Sequence, residues 1–254
     1  MLSVVLIGTG KVSAKLQQAF SRSEEIKLLA VYGREERKGE ILPSGQIVSS
    51  ISEFEHETDI IVIAVQDDAI SIVQKEIGAT NALVVHTAGS IPMNVLLPIE
   101  RRGVFYPLQT LSADREVDFS SIPICLECAM VEDNELLEEL AGSISGSVNW
   151  INSGERQRLH LAAVFTNNFV NHMIRQAEKI CEQHDVPKEM LHPLLDETIA
   201  KAKELGAFKA QTGPAIRGDM SVIDKHIKLL PETVQQELYK TISASIQYEY
   251  ESQL

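Results

Sequence analysis

The sequence predicts an α/β fold in which a doubly wound sheet is followed by a region built of helices alone. Short apolar segments alternate with helical segments over residues 1–150, the first of them ends at a glycine-rich turn, and strand signals stop beyond residue 152. Such alternation is typical of βαβ units, whose parallel strands are buried on both faces and are therefore continuous apolar runs. Ligands of such sheets bind at the carboxyl ends of the strands.

Seven segments of the first region are predicted to be strands. The first, third and fourth are almost wholly apolar, as expected of central strands that helices cover on both faces. The last strand closes this region, and the pair Ser153-Gly154 marks the joint with the next. The predicted strands are Val4–Ile7, Lys27–Tyr32, Ile60–Val65, Leu83–His86, Val104–Tyr106, Ile122–Leu126 and Ser147–Ile151.

Beyond the joint the pattern is helical throughout. One long helix is predicted from Glu155 to about His184, with Ser153 as its N-cap. This helix is apolar around most of its circumference, which predicts a central and buried position. Further helices are predicted near Lys188–Leu205, near Met220–Leu230 and from Pro231 to the terminus.

The turn after the first strand has the glycine spacing of a dinucleotide-binding fingerprint, with Ser13 at the third glycine position. Gly8 permits a tight turn, and Gly10 lets a phosphate approach the backbone where a Cβ would intrude. The next helix directs its free N–H groups and the positive end of its dipole at that phosphate. The alternative is a structural glycine turn, but the flanking strand and helix favour cofactor binding. The contacts predicted here are Gly8, Thr9, Gly10, Lys11 and Val12.

Two domains follow from these patterns. The sheet and its glycine turn make residues 1–152 a dinucleotide-binding Rossmann domain. The helices make residues 153–254 an all-helical domain for dimerisation and substrate binding. No repeat, low-complexity tract or flexible linker separates the two, so we expect them to pack closely on one another.

The residues after the second strand favour NADP over NAD. An acidic side chain there would bind the ribose 2′-hydroxyl, but the chain has Gly33 and then Arg34, about where a 2′-phosphate would lie. Arginine binds phosphate through two hydrogen bonds, and Arg37 or Lys38 could add charge. The alternative is a solvated charged loop.

Polar residues follow the third and fourth strands, whose ends should flank the pyrophosphate and the nicotinamide. His86 is either a polar residue of the cleft or a hydrogen-bonded residue at the end of the sheet, and Asp67 or Asp68 is also a natural N-cap. We predict substrate contacts from His86 and Ser90. The cofactor contacts predicted here are Val65, Gln66, Asp67, Thr87, Ala88 and Gly89.

The long helix carries a polar stripe on its apolar surface. Arg156, His160, Asn167 and Asn171 are spaced by four, seven and four residues, which places them within one narrow arc. Polar groups on a buried helix need partners, and a pocket shared with cofactor and substrate would supply them. In the alternative, the asparagines bond to backbone and Arg156 forms an ion pair between the domains.

A second polar segment, TGPAIRGD at residues 212–219, places Arg217 in a loop shaped by glycine and proline. Arg217 could bind a substrate carboxylate or an acidic residue of a partner subunit. Asp219 is predicted to be the N-cap of the helix that follows.

Composition excludes several classes of partner. The net charge of −13 and the scattered basic residues argue against nucleic acid and anionic membranes. No apolar run reaches the roughly 20 residues that span a bilayer, and the N-terminus lacks the features of a signal peptide. Three cysteines suit a reducing cytoplasm, where we expect the protein. Cys125 and Cys128 face opposite ways on a predicted strand, so we interpret them as core residues and predict no metal site.

The segments IGTGKVSAKL, VVHTAGS, FYPLQT, RLHLAAVFTNNFVNH and TGPAIRGD, in this order, resemble one known family over essentially the whole chain. It is the family of Rossmann-like oxidoreductases whose helical C-terminal domain has no assigned function. The family lies in the 6-phosphogluconate dehydrogenase-like superfamily, with pyrroline-5-carboxylate reductase and deazaflavin-dependent NADP reductase as distant relatives. The resemblance implies NADP binding and a dimer formed through the C-terminal helices, and it implies no substrate.

One departure from the superfamily matters. Members that oxidise hydroxy acids carry a lysine on the first helix of the second domain, followed by an asparagine one turn later. This chain has His160 and then Asn167-Asn168 there, with no lysine before Lys179. A lysine-assisted mechanism is therefore not expected.

Two hypotheses of function follow. In the first, the protein is an NADP-dependent oxidoreductase that transfers hydride between the nicotinamide and a small carbonyl or imine compound. His160 is then the general acid, since histidine donates protons near neutral pH; Asn167 orients it or the substrate, Asn171 contacts the substrate, and Arg217 holds an anionic group. In the second, the protein is a non-catalytic NADP-binding sensor or regulator.

Overall fold

The computed structural model describes residues 1–33, 41–42, 45–48, 57–112, 115–231 and 233–251. The chain divides into two compact units, Met1–Asn167 and Asn168–Leu254. The first is the α/β unit and the second is built of helices, so the predicted fold class is confirmed. None of the helices in the described ranges is both long enough and apolar enough to span a membrane.

The first unit is built on a sheet whose described strands number nine, in the order β3-β4-β2-β1-β5-β6-β7-β8-β9. Neighbouring strands are parallel except at the β3–β4 and β7–β8 pairs. All seven predicted strands are present, Leu83–His86 with the predicted ends and the other six with shifted ends, whereas β3 and β4 were not predicted. The strands are β1 Leu2–Ile7, β2 Ile26–Tyr32, β3 Ile41–Leu42, β4 Gly45–Val48, β5 Ile60–Ile63, β6 Leu83–His86, β7 Arg102–Pro107, β8 Ile124–Cys128 and β9 Val148–Trp150.

The register of the central strands brings their carboxyl ends together. Ile7 of β1 pairs with Ile63 of β5, and Ile63 pairs with His86 of β6. All residues of β5 and β6 are buried, because helices cover both faces of the sheet. The three loops that follow these strands therefore start side by side at one edge.

Among its described residues the first unit has four α-helices: α1 Lys11–Arg22, α2 Ile70–Ile77, α3 Asn134–Gly142 and α4 Ser153–Ala163. The predicted N-cap of α4, Ser153, is wrong. The cap is Asn152, whose side chain accepts the N–H of Glu155 while the Glu155 carboxylate accepts the N–H of Asn152. Ser153 instead accepts the N–H of Met93 and donates to Glu127.

The second unit contains α5 Val170–Gln183, α6 His192–Leu205, α7 Ala207–Ala210, α8 Met220–Leu229 and α9 Thr233–Glu251. Two of the predicted helices of this unit begin later than expected, because Lys188–Leu191 is a 3₁₀ turn and α9 starts at Thr233. Asp219 caps α8 as predicted, accepting the N–H of Val222 at 3.2 Å.

The predicted single helix over 155–184 contains a π-helical segment, Val164–Phe169, between α4 and α5. The prediction that it is buried is wrong for one copy of the chain. Leu161 is 59% exposed, Phe165 60% and Phe169 49%, so apolar residues on this stretch face solvent.

The C-x-x-C pair lies on β8 as two free cysteines, Cys125 buried and Cys128 half-buried. They are three residues apart on a strand and therefore face opposite ways. Burial raises the pKa of the Cys128 thiol to about 12, so this thiol stays protonated and unreactive at physiological pH.

Arg156 joins α4 to the sheet. Its side chain is fully buried, and its guanidinium forms an ion pair with Glu127 of β8. A second nitrogen, Nη2, donates to the Ile91 carbonyl at 2.6 Å and to Ser153 Oγ at 3.2 Å. This network ties α4 to β8, and both elements lie within the first compact unit, Met1–Asn167.

We expect the Glu127→Gln substitution to destabilise the protein by about 3 kcal/mol, because it leaves the buried Arg156 charge without its anionic partner. The measurement is urea unfolding, read as a shift in midpoint at constant slope. Glu138→Gln, on the exposed face of α3, is the matched control and should change little. Equal effects of the two substitutions would contradict a stabilising role for the pair.

Candidate functional site

The turn between β1 and α1 fits a pyrophosphate. Gly8 has φ +126°, and a Cβ there would lie 2.2 Å from the Ala64 carbonyl oxygen, so glycine is required. A Cβ on Gly10 would meet no atom within 4 Å, which leaves open space above the backbone. Gly10 is the N-cap of α1, no side chain caps this helix, and its first turn holds no acidic residue. The first-turn N–H groups can therefore bind an anion.

Ser13, at the third glycine position, holds this turn in place. Its buried hydroxyl donates to the Gly8 carbonyl at 2.6 Å and accepts from Gln17 Nε2 at 3.1 Å. A small residue is needed where α1 approaches the strand, and the hydroxyl adds a hydrogen bond that glycine could not supply. Of the other predicted contacts in this turn, Thr9 and Val12 are half-buried and Lys11 is exposed.

The predicted 2′-phosphate site begins at Gly33, which follows β2 and is half-buried. Arg34, Arg37 and Lys38 lie outside the described residues. The hypothesis that Arg34 selects NADP therefore remains a prediction from the sequence.

The loops after β5 and β6 are joined to each other by side chains. Asp67 accepts a hydrogen bond from the hydroxyl of Ser90, and the Ser90 carbonyl accepts one from Gln157 Nε2 at 3.0 Å. Asp67 starts a 3₁₀ turn whose N-cap is Gln66, and no side chain caps this turn or α2. The predicted capping role of Asp67 or Asp68 is therefore wrong, because the Asp67 carboxylate binds Ser90.

The loop that begins at the carboxyl end of β6 is held by a backbone hydrogen bond and by burial. Thr87 donates its N–H to the Ile63 carbonyl at 3.1 Å, and both Ala88 and Gly89 are buried. On the β5 side, Val65 is half-buried and Gln66 is exposed. Of the residues predicted to contact the cofactor on these two loops, Gln66 and Asp67 are therefore the exposed ones.

His86 lies inside the protein. Its ring is fully buried and its Nδ1 accepts the N–H of Ala88 at 3.2 Å. Burial, and then the nearby Arg156 charge, lowers the pKa of His86 to about 4, so the ring is neutral at physiological pH. The structure agrees with the second alternative for His86, a hydrogen-bonded residue at the end of the sheet. Its bond to Ala88 supports the turn that carries Gly89.

Two aromatic rings converge on Gly89. His160 of α4 lies with its Nδ1 3.0 Å from the hydroxyl of Tyr106, and the ring centroids are 6.0 Å apart. A Cβ on Gly89 would lie 2.6 Å from His160 Nδ1 and 2.7 Å from Tyr106 Cζ. Both rings are only half-buried. A titratable, partly exposed pair thus lies at the same sheet edge as the glycine turn.

Tyr106 was missed by the sequence reasoning. It is the second-last residue of β7, which is parallel to β6, so its side chain reaches the same edge as Gly89. The pKa of the Tyr106 hydroxyl is raised, mainly by burial, so this hydroxyl stays protonated at neutral pH. The segment FYPLQT contained the signal, a tyrosine at the carboxyl end of a predicted parallel strand.

The polar stripe does not remain together in the structure. Arg156 is committed to its buried ion pair, and the amide of Asn167 donates to the hydroxyl of Thr110. The π-helical segment lies between His160 and Asn171 and changes the helical period, so the assumed arc no longer holds. Asn171 and Arg217 belong to the second unit, where both are exposed.

Comparison with sequence families matches both halves of the chain. A Rossmann-like domain model matches residues 1–110, and the model of a domain of unknown function, DUF2520, matches residues 122–246. A search of curated proteins finds no match.

Solved structures of similar fold cover nearly the whole chain. An imine reductase from Myxococcus stipitatus in complex with NADP⁺ is 14% identical, with a TM-score of 0.69, over 98% of this chain and 93% of its own. An NADP-bound pyrroline carboxylate reductase from Plasmodium falciparum is 15% identical, with a TM-score of 0.64, over 97% and 98%. At these identities the likeness concerns the fold.

One solved structure is much more similar in sequence. It is a candidate NADP oxidoreductase from Bacteroides fragilis, 36% identical with a TM-score of 0.85, and the match covers 97% of this chain and 98% of that one. Together with the two domain models, this match confirms the family resemblance found in the sequence motifs. The chain belongs to the family of two-domain proteins in which a Rossmann-like domain is joined to a DUF2520 domain.

Proposed function

We propose that the protein is an NADP-dependent oxidoreductase acting on a small carbonyl or imine compound. One observation carries the proposal: the His160 and Tyr106 rings lie against Gly89, at the sheet edge where the open Gly8–Gly10 turn also lies. Hydride transfer to a carbonyl or imine needs a dinucleotide site and a group that donates a proton, and these residues could supply both. The Bacteroides fragilis relative, named for NADP oxidoreduction, supports the proposal, as do the imine and pyrroline carboxylate reductases of the same fold.

The chain's own residues would hold the dinucleotide along this edge. Gly8, Gly10 and the first turn of α1 would bind the pyrophosphate, and Arg34 beyond Gly33 would bind the 2′-phosphate. The loops at 65–67 and 87–89 would line the remainder of the dinucleotide. When bound, the reduced nicotinamide supplies hydride equivalents to the substrate.

His160 would move the proton that balances reduction of a C=O or C=N bond. Its Nδ1 is occupied by the Tyr106 hydroxyl, which leaves Nε2 as the nitrogen that can donate to the substrate. Asn167 would orient the substrate. Ser90 would contact a polar group of the substrate.

We also propose that the protein is a homodimer formed through the helical segment at 153–183 and its neighbours. The exposed apolar side chains of Leu161, Phe165 and Phe169 support this proposal, because one copy of the chain leaves them in solvent. An isologous contact, the commonest arrangement in homodimers, would cover the same patch on both copies.

Cofactor titration tests the choice of dinucleotide. We expect NADP to bind at least about tenfold more tightly than NAD, or ~1.4 kcal/mol, from a two-bond arginine–phosphate contact. Arg34→Ala should remove most of this preference, whereas Arg22→Ala, at the far end of α1, should keep it. Equal affinities of the unaltered protein for the two cofactors would contradict the proposal.

Turnover tests the role of His160. A screen of small carbonyl and imine compounds, followed by the absorbance of reduced NADP, identifies a substrate. We then expect His160→Asn to lower kcat by roughly a hundredfold while leaving NADP affinity nearly unchanged, as for a lost general acid. The control is His184→Asn, at an exposed site after α5, which should keep full activity. Tight NADP binding without turnover of any compound would favour the sensor hypothesis instead.

Light scattering tests assembly. At micromolar concentration we expect twice the chain mass of 28.1 kDa. Leu161→Glu would place two charges in an isologous apolar interface and should shift the protein toward the monomer. Ile72→Glu, at a similarly exposed position on α2, is the control and should not change the mass. A monomeric mass for the unaltered protein would rule out the dimer.

A further inference from the structure

The contact of Gly89 with two aromatic rings explains why this position is a glycine. The φ angle of Gly89 lies outside the left-handed region, so its φ does not by itself require glycine. The surrounding atoms do, because a Cβ there would lie 2.6 Å from His160 Nδ1 and 2.9 Å from the hydroxyl oxygen of Tyr106. These two atoms share the 3.0 Å hydrogen bond between the rings. A side chain at position 89 would therefore enter the bond itself.

The backbone at Gly89 is held on both sides and has little freedom to move away from the rings. On one side, the N–H of Ala88 donates to the buried ring of His86 at 3.2 Å. On the other, the carbonyl of Ser90 accepts a hydrogen bond from Gln157 Nε2 at 3.0 Å. The two rings are only half-buried. A Cβ at position 89 would therefore be accommodated by movement of the rings, which breaks the bond between them.

A hydroxyl suits His160 Nδ1 in either protonation state of the ring. A phenol both donates and accepts, so it can donate to a bare Nδ1 and accept from a protonated one. The pKa of the Tyr106 hydroxyl is raised, mainly by burial, so this group keeps its proton, and with it both functions, at neutral pH. A carboxylate in its place could only accept, and a phenylalanine ring could do neither. The imidazole ring can therefore keep one orientation while Nε2 gains and loses a proton.

We propose that Tyr106 is a positioning residue, which fixes the His160 ring through Nδ1 and leaves Nε2 for the substrate, and that Gly89 is required because its missing side chain leaves room for this bond. Neither Tyr106 nor Gly89 transfers a proton to the substrate, and both act through His160. The inference rests on the proposed role of His160 as the proton donor. The bond and its dependence on Gly89 can nevertheless be measured without turnover.

Nitrogen-15 spectra of the histidine rings test the bond in the full-length protein, at about pH 9, where an unperturbed histidine is neutral. In a neutral ring the phenol donates to Nδ1, so we expect one tautomer of His160, with its proton on Nε2. Tyr106→Phe and Gly89→Ala should each bring the shifts of the two ring nitrogens closer together, as for a ring that exchanges between tautomers. The spectrum of His160→Asn assigns the signals among the seven histidines.

Tyr239→Phe is the matched control, because Tyr239 and His226 form a similar pair in the helical unit. The Tyr239 hydroxyl lies 2.8 Å from His226 Nδ1, and the rings meet edge to face with centroids 5.8 Å apart. This substitution should change the signals of His226, leave those of His160 unaltered and keep full activity. Thermal unfolding confirms that each variant is folded. Unchanged His160 signals in either Tyr106→Phe or Gly89→Ala would overturn the inference.

Kinetics with a substrate separate positioning from a general structural effect. Tyr106→Phe should lower kcat roughly tenfold without weakening NADP binding, and Gly89→Ala should lower kcat to a similar extent. The double variant should lose no more than either single one, because each substitution removes the same hydrogen bond.

The decisive background is His160→Asn, which has no imidazole ring to position. There, Tyr106→Phe should lower kcat no further, and a further loss would show a structural role and contradict the proposal. Full kcat of His160→Asn itself would instead overturn the proposed role of His160 as proton donor, a result on which the ring spectra do not depend.

Discussion

Arg156 is fully buried, and its charge has to be neutralised where α4 meets the sheet. Glu127 of β8 does this, and Ser153 Oγ and the Ile91 carbonyl accept further hydrogen bonds from the guanidinium. A buried arginine with one anionic partner tolerates little displacement, because any movement leaves a charge unpaired in a medium of low dielectric. His160 lies one turn further along the same helix, so its position against Gly89 depends on this ion pair. The buried Arg156–Glu127 ion pair thus fixes the position of the His160 ring.

Strands and the glycine turn could be predicted because their signals are local. A short, mainly apolar run such as Leu83–His86 favours a strand buried on both faces, and the segment with Gly8 and Gly10 follows β1 directly. The partners of His160 and Arg156 could not be predicted in this way. Tyr106 and Glu127 lie on β7 and β8, and their distance from α4 depends on strand order, which is a property of the whole sheet.

The polar stripe shows that a prediction from residue spacing fails where the helix changes its period locally. Spacings of four and seven residues define one arc only while the helix keeps 3.6 residues per turn. The π-helical segment at Val164–Phe169 breaks this period, and Asn167 inside it bonds to Thr110. The prediction that Ser153 caps α4 was wrong for a related reason. Serine and asparagine cap helices about equally well, and the choice of Asn152 depends on Ser153 being drawn to Glu127.

The acidic side chains near Gly89 hold neighbouring residues in position. Glu127 holds Arg156, and Asp67 ties the loop after β5 to Ser90, while the described partner of His160 is the neutral phenol of Tyr106. A carboxylate on Nδ1 would stabilise the imidazolium and make it a weaker proton donor, whereas a phenol fixes the ring without adding charge. Because burial keeps Tyr106 protonated, this neutrality persists at physiological pH. The phenol of Tyr106 therefore holds the His160 ring in place without adding a charge beside it.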